Sequence, residues 1–212
     1  MSMRHGRLLR PAIAALAMLA AGLLAERLDA GAQLAKVGAA APAFEANDSR
    51  GASRSLASLA GSYVVLEWIN HDCPFVRKHY SSGNMQALQK KYTERGVVWL
   101  SIASSAPGKQ GHLGPDAWNA ISAEKGSHAT AVMLDADGTI GRAYGARTTP
   151  QIAIIDPKGV LIYTGAIDDT PSADVDDIAT ARNHVAAALD EALAGKPISV
   201  ATSQPYGCSV KY

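Results

Sequence analysis

The sequence predicts an α/β fold in which a central mixed β-sheet is flanked by helices. Three observations carry this expectation. An apolar β-branched run, Tyr63 to Ile69, ends at a cysteine that opens a helix. A strand, helix, strand, helix rhythm then runs from Tyr63 to Leu134, the pattern of parallel βαβ units. After it the pattern changes to two β-like runs joined by a tight turn and closed by an amphipathic helix.

The elements follow in order. The first thirty-two residues stand apart: Arg4, Arg7 and Arg10 precede an apolar stretch from Pro11 to Ala25, and Ala30-Gly31-Ala32 offers a small-x-small cleavage site. This is the pattern of a secretory signal peptide over residues 1–32, cut before Gln33. The apolar stretch falls short of the ~20 residues of a spanning helix. An uncleaved anchor is the other reading, and the membrane enters only through it. Residues 33–195 form one domain, and 196–212 a C-terminal tail. Within the domain, Lys36 to Ser62 is a lead-in arm or hairpin turning at Asn47-Asp48-Ser49-Arg50-Gly51. Tyr63–Ile69 reads as a buried strand. Phe75 to Arg95 has helical spacing through Val76, His79, Tyr80, Met85, Leu88 and Tyr92, with Ser81-Ser82-Gly83 placed to kink or split it. Val97–Ala103 is a second strand, Pro115-Asp116 opens a helix, and Ala131–Leu134 is a third central strand followed by a short helical piece ending near Gly145. Gln151–Ile155 and Gly159–Thr164 flank Asp156-Pro157-Lys158-Gly159, a hairpin turn. Ile178 to Ala194 is the closing helix, stopped by Gly195.

Composition narrows function. A net charge of +1 and 48% hydrophobic residues suit a globular domain and leave no basic surface for nucleic acid. The two cysteines, Cys73 and Cys208, carry the chemistry. A cysteine at a helix N-terminus feels unpaired N–H groups and the positive end of the helix dipole, which favour thiolate over thiol. Pro74 fits the first helical position, where its missing N–H costs nothing. His71 lowers the thiol pKa if protonated. Glu67 lies six positions before Cys73, and an acid desolvated beneath the thiol is suited to relay protons. Soft metal ligation by His71, Cys73, His79 and Cys208 has unpersuasive spacing, so no metal and no cofactor is expected. Asp168, Asp169, Asp174, Asp176 and Asp177 lack a calcium-loop pattern and read as a solvated loop.

Four islands, Asn70-His71-Asp72-Cys73-Pro74-Phe75-Val76, Thr149-Pro150, Gly165-Ala166-Ile167-Asp168-Asp169 and Tyr206-Gly207-Cys208-Ser209, resemble the peroxiredoxin-like branch of the thioredoxin superfamily, the redoxin or AhpC/TSA-type proteins. The resemblance implies a thioredoxin-like fold, Cys73 as nucleophile, Thr149-Pro150 as a cis step facing it, and Glu67 as the buried acid. The departures matter as much. Val76 stands where a C-x-x-C motif has its second cysteine, and Leu66 and Asn70 stand where a peroxiredoxin has its proline and threonine. No motif assigns the thiolate-stabilising arginine, for which Arg147 is the local candidate. The resemblance therefore supports disulfide chemistry over peroxidase chemistry.

Three readings remain open. In the first, an exported, periplasmic thiol–disulfide oxidoreductase acts on protein or small-molecule disulfides and thiols. There Cys73 attacks and Cys208 resolves, its tail reaching across the domain at up to ~3.3 Å per residue. In the second, hydroperoxide oxidises Cys73 and the protein is a weak antioxidant peroxidase. In the third, a permanent Cys73–Cys208 bond clamps the tail of a redox-inert binding or metal-delivery module. The electron donor is not legible.

Overall fold

The computed structural model describes residues 1–2 and 34–212. The expected signal peptide, residues 1–32, lies outside the described residues apart from its first two. Among the described residues no helix is long and apolar enough to cross a membrane.

An antiparallel hairpin leads in, β1 (Glu45–Asn47) with β2 (Ser53–Ser55). The body of the domain is a five-stranded mixed sheet of β3 (Val64–Trp68), β4 (Val98–Ala103), β5 (Ala131–Leu134), β7 (Gln151–Ile155) and β8 (Leu161–Gly165), in the order β5-β4-β3-β7-β8. β3 runs parallel to β4 and antiparallel to β7, and β4 runs parallel to β5. The β7–β8 hairpin follows the expected turn at Asp156–Gly159. β5, expected as a central strand, lies at the sheet edge and receives only an isolated bridge from Asp48 on its outer side. This is a thioredoxin-like fold.

Central strands buried on both faces read as continuous apolar runs, and β3 is buried at all five positions. Val64, Leu66 and Trp68 face one core, shared with Phe44 from the lead-in arm, Ile140 from α4 (Thr139–Ala143) and Tyr144 at its C-cap. Val65 faces the other, where α1 (Pro74–Ser81), α2 (Asn84–Thr93), α3 (Pro115–Glu124) and α5 (His184–Leu193) pack through Val76, Tyr80, Leu88, Tyr92, Trp118 and Leu189. Fully burying such a side chain stabilises by ~1.5–3 kcal/mol relative to exposure, so the apolar periodicity decides which face each helix covers.

Two helix expectations resolve differently. The run from Phe75 to Arg95 is split, because Gly83 takes φ 76°, a left-handed conformation that ends α1 and caps α2. The closing helix begins at His184 rather than Ile178. Residues Asp176–Ala179 form a single 3-10 turn instead. The chain between them is pinned back to 167–169: the amide of His184 donates to the Ile167 carbonyl and that of Arg182 to Asp169, while the Asn183 side chain caps the amide of Ala186.

Candidate active site

Cys73 is the N-cap of α1, with extended backbone (φ −74°, ψ 125°) ahead of Pro74 at the first helical position. Pro74 itself faces solvent. The amide of Cys73 donates to the Asn70 carbonyl at 3.0 Å, closing the turn between β3 and α1. Its side chain is fully buried, and Sγ donates to the carbonyl of Thr149 at 3.0 Å. The Thr149–Pro150 bond is cis and joins the short strand β6 (Thr148–Thr149) to β7.

The tail completes the site. β9 (Cys208–Ser209) pairs antiparallel with β6, setting Cys208 opposite Thr149 and Ser209 opposite Thr148. Gly207 permits the approach: a Cβ there would lie 2.1 Å from the Thr149 carbonyl oxygen, and its φ of 130° disfavours any other residue. Beyond β9 the amide of Val210 donates to the Arg147 carbonyl, that of Ala106 to Lys211, and the Tyr212 hydroxyl to Ala146. Both cysteines are free thiols, Cys73 buried and Cys208 half-buried.

Their surroundings drive them apart in acidity. Burial pushes the Cys73 thiol up. Hydrogen bonds from the Cys208 thiol, the Val76 and Cys208 amides and the Thr149 hydroxyl outweigh it, so Cys73 ends below the ordinary cysteine range. Cys208 is pushed up to about 11, first by burial, then by its hydrogen bond to Cys73 and the charge that Cys73 carries as thiolate. Lys211 and Arg77 oppose this rise.

Three expectations need correction. Burial, helped by Lys125, pushes His71 down to about 4, so at neutral pH it is an uncharged ring. It packs edge-on to Tyr80 at 4.9 Å and tilted against Trp118 at 5.7 Å, and supplies no positive charge to the thiol. Arg147 meets the site through its backbone: its carbonyl holds the tail while its side chain is exposed. The cations that act on the thiol pair are Arg77 and Lys211, through Cys208. Glu67 is buried beneath the helices, and burial raises its pKa as expected. Its carboxylate accepts from Tyr80 (3.0 Å), Gln89 (3.1 Å), Trp99 (2.7 Å) and Ser101 (3.4 Å), and no hydrogen bond links it to Cys73. Four converging donors make it an anchor between β3, β4, α1 and α2, set back from the thiol.

The sequence places Asp168 in a solvated acidic loop, but it is 3% exposed. Its partners are Tyr206 of the tail and Lys78 and His79 of α1. The signal of this cluster in the sequence is slight: Lys78 and His79 fall within a helix whose neighbours Val76 and Tyr80 are buried. Asn70, in the position of the peroxiredoxin threonine, turns its side chain into its own loop, where Oδ1 accepts the Asp72 amide, and lies against Gly111. Leu66 is packed in the opposite core.

The family model for the AhpC/TSA family matches residues 37–164. Among solved structures, the chain resembles an uncharacterized conserved protein from Geobacillus kaustophilus at 25% identity and TM-score 0.68, over 84% of this chain and 92% of that one. It also resembles a hypothetical protein from Sinorhizobium meliloti 1021 at 23% identity and TM-score 0.70, over 84% of this chain and 94% of that one. No curated protein matches it.

Proposed function

Since the chain belongs to the AhpC/TSA family of redox proteins, we propose that it is an exported thiol–disulfide oxidoreductase in which Cys73 is the nucleophile and Cys208 the resolving thiol. The observation that carries this reading is the meeting of two segments at one peptide unit: Cys73 donates to the Thr149 carbonyl, and Cys208 is the strand partner of Thr149. Export rests on the pattern of residues 1–32 alone.

The thiolate of Cys73 attacks one sulfur of a substrate disulfide, forming a mixed disulfide and expelling the other sulfur as a thiolate. Once Cys73 is held in the mixed disulfide, its charge no longer raises the pKa of Cys208, and Cys208 releases its proton to solvent to become the attacking thiolate. Cys208 attacks Cys73, the Cys73–Cys208 bond forms, and the second substrate thiolate leaves. Two protein thiols are oxidised and one substrate disulfide is reduced. Thr149 and Pro150 present the backbone against which an extended substrate lies once residues 206–209 lift away, since Cys73 is fully covered while they are docked.

Neither residue that activates peroxide in the family is present, and Asn70 and Leu66 point elsewhere, so no observation favours the peroxidase reading. The test is reduction of insulin and of an aromatic disulfide by the reduced protein. Cys73→Ser is expected to abolish both, and activity retained in that variant overturns the assignment.

A further inference from the structure

Asp168 sits between the two cysteine-bearing segments. Its Oδ1 accepts the Tyr206 hydroxyl and the amide of Thr170. Its Oδ2 faces Lys78 Nζ at 3.5 Å and His79 Nε2 at 3.8 Å, and is buried with no hydrogen bond of its own. Lys78 and His79 belong to α1, the helix that Cys73 caps, while Tyr206 precedes Cys208 by two residues. The Tyr206 ring lies across that helix, edge-on to Phe75 at 5.8 Å and under Lys78 Nζ at 5.7 Å. Asn84 donates to His79 Nδ1 at 2.8 Å, which places the ring proton on Nε2, toward Asp168 and the Tyr206 oxygen at 3.5 Å.

We infer that Tyr206 and Asp168 are positioning residues that latch the tail to α1 and thereby set the effective concentration of Cys208 at Cys73. This inference rests on the resolving role proposed for Cys208. β9 pairs with β6 over only two residues, too little to hold a strand by itself. The nearest upstream tail anchor is Ser203, whose Oγ accepts the Ala166 amide at 2.9 Å. Between Ser203 and Cys208, the Tyr206 hydroxyl makes the one side-chain hydrogen bond from the tail to a buried charged group among the described residues. Removing that hydroxyl leaves the ring contacts and the anchors beyond Cys208 in place, and loosens the tail on the upstream side of the thiol.

The measurement is the equilibrium between the Cys73–Cys208 disulfide and the dithiol in graded glutathione buffers, read by acid trapping, alkylation and peptide mass for the wild type and Tyr206→Phe. A latch predicts that Tyr206→Phe favours the dithiol by about tenfold, a shift of about 30 mV toward easier reduction. Cys73 is also expected to alkylate faster in the reduced variant, because its cover lifts more often. Equal potentials in two folded proteins overturn the latch and leave the resolving role intact. If the wild type never links Cys73 to Cys208, the resolving role and the latch fall together. Should Tyr206→Phe not fold, Asp168→Asn, which keeps shape and removes the charge facing Lys78, is held to the same prediction.

Discussion

The N-terminus of α1 and the tail strap each bring one cysteine to Thr149, yet they are built in opposite ways. Cys73 is fixed by a regular helix, a closed turn and the core cluster it joins. Cys208 is fixed by a two-residue ladder, one glycine that fits against Thr149, and the side chains of Tyr206 and Tyr212. The buried thiol is the more acidic and the half-buried one the less, the reverse of what burial alone dictates. Donors gathered around a sulfur outweigh desolvation, and the charge they stabilise raises its neighbour. In the proposed reaction, attack falls to the cysteine held by the helix and resolution to the one held by the tail.

The contrast is broken most severely by Cys208→Ser. Attack by Cys73 survives, and the mixed disulfide with an aromatic disulfide accumulates on Cys73 instead of resolving, seen as a persistent mass adduct. Rapid loss of that adduct without added thiol contradicts the division of labour. Gly207→Ala is next. A Cβ 2.1 Å from the Thr149 oxygen forces the strap off β6 at a cost of order 1–3 kcal/mol. Alkylation of Cys73 is expected to speed up by about tenfold or more, and an unchanged rate shows that the strap does not cover the thiol.

A pH titration sharpens the rigid side. The folded-state pKa of His71, about 4, lies below its ordinary 6.5, so the unfolded chain binds more protons between those values. The stability it contributes is fully present above pH 6.5 and is lost as pH falls toward 4, up to about 3 kcal/mol. His71→Phe keeps the aromatic contacts with Tyr80 and Trp118 and is expected to flatten the acid limb of melting temperature against pH. An identical limb in the variant removes His71 as its cause. The smallest expected effect is that of Arg147→Ala. The exposed side chain is not among the groups acting on either thiol, so the pH profile of Cys73 alkylation is expected to stay within about twofold of wild type.

The rigid region was the legible one. Apolar runs place β3, β4 and β5, the Asp156–Gly159 turn places the hairpin, and Pro74 after Cys73 places the start of α1, because each signal is local. The strap was legible only in outline. Two cysteines and a long enough tail permit a meeting, but the register of Cys208 against Thr149 depends on Gly207 facing a backbone 58 residues away in sequence. The burial of Asp168 is hidden from the sequence for the same reason. An acid in an acidic stretch looks solvated until the helix bearing Lys78 and His79 and the tail bearing Tyr206 close over it. Proximity in sequence suggests charges at the thiol from His71, if protonated, and Arg147, whereas burial keeps the His71 ring neutral and the Arg147 side chain is exposed.

The central claim is that Cys73 and Cys208 form a couple that cycles. Equilibrating the wild-type protein against glutathione buffers and mapping both cysteines by peptide mass tests it most directly. The account predicts an intramolecular Cys73–Cys208 bond that reduces between about −120 and −270 mV, the range of catalytic couples. A bond that persists below about −300 mV, or two thiols that never link, contradicts it.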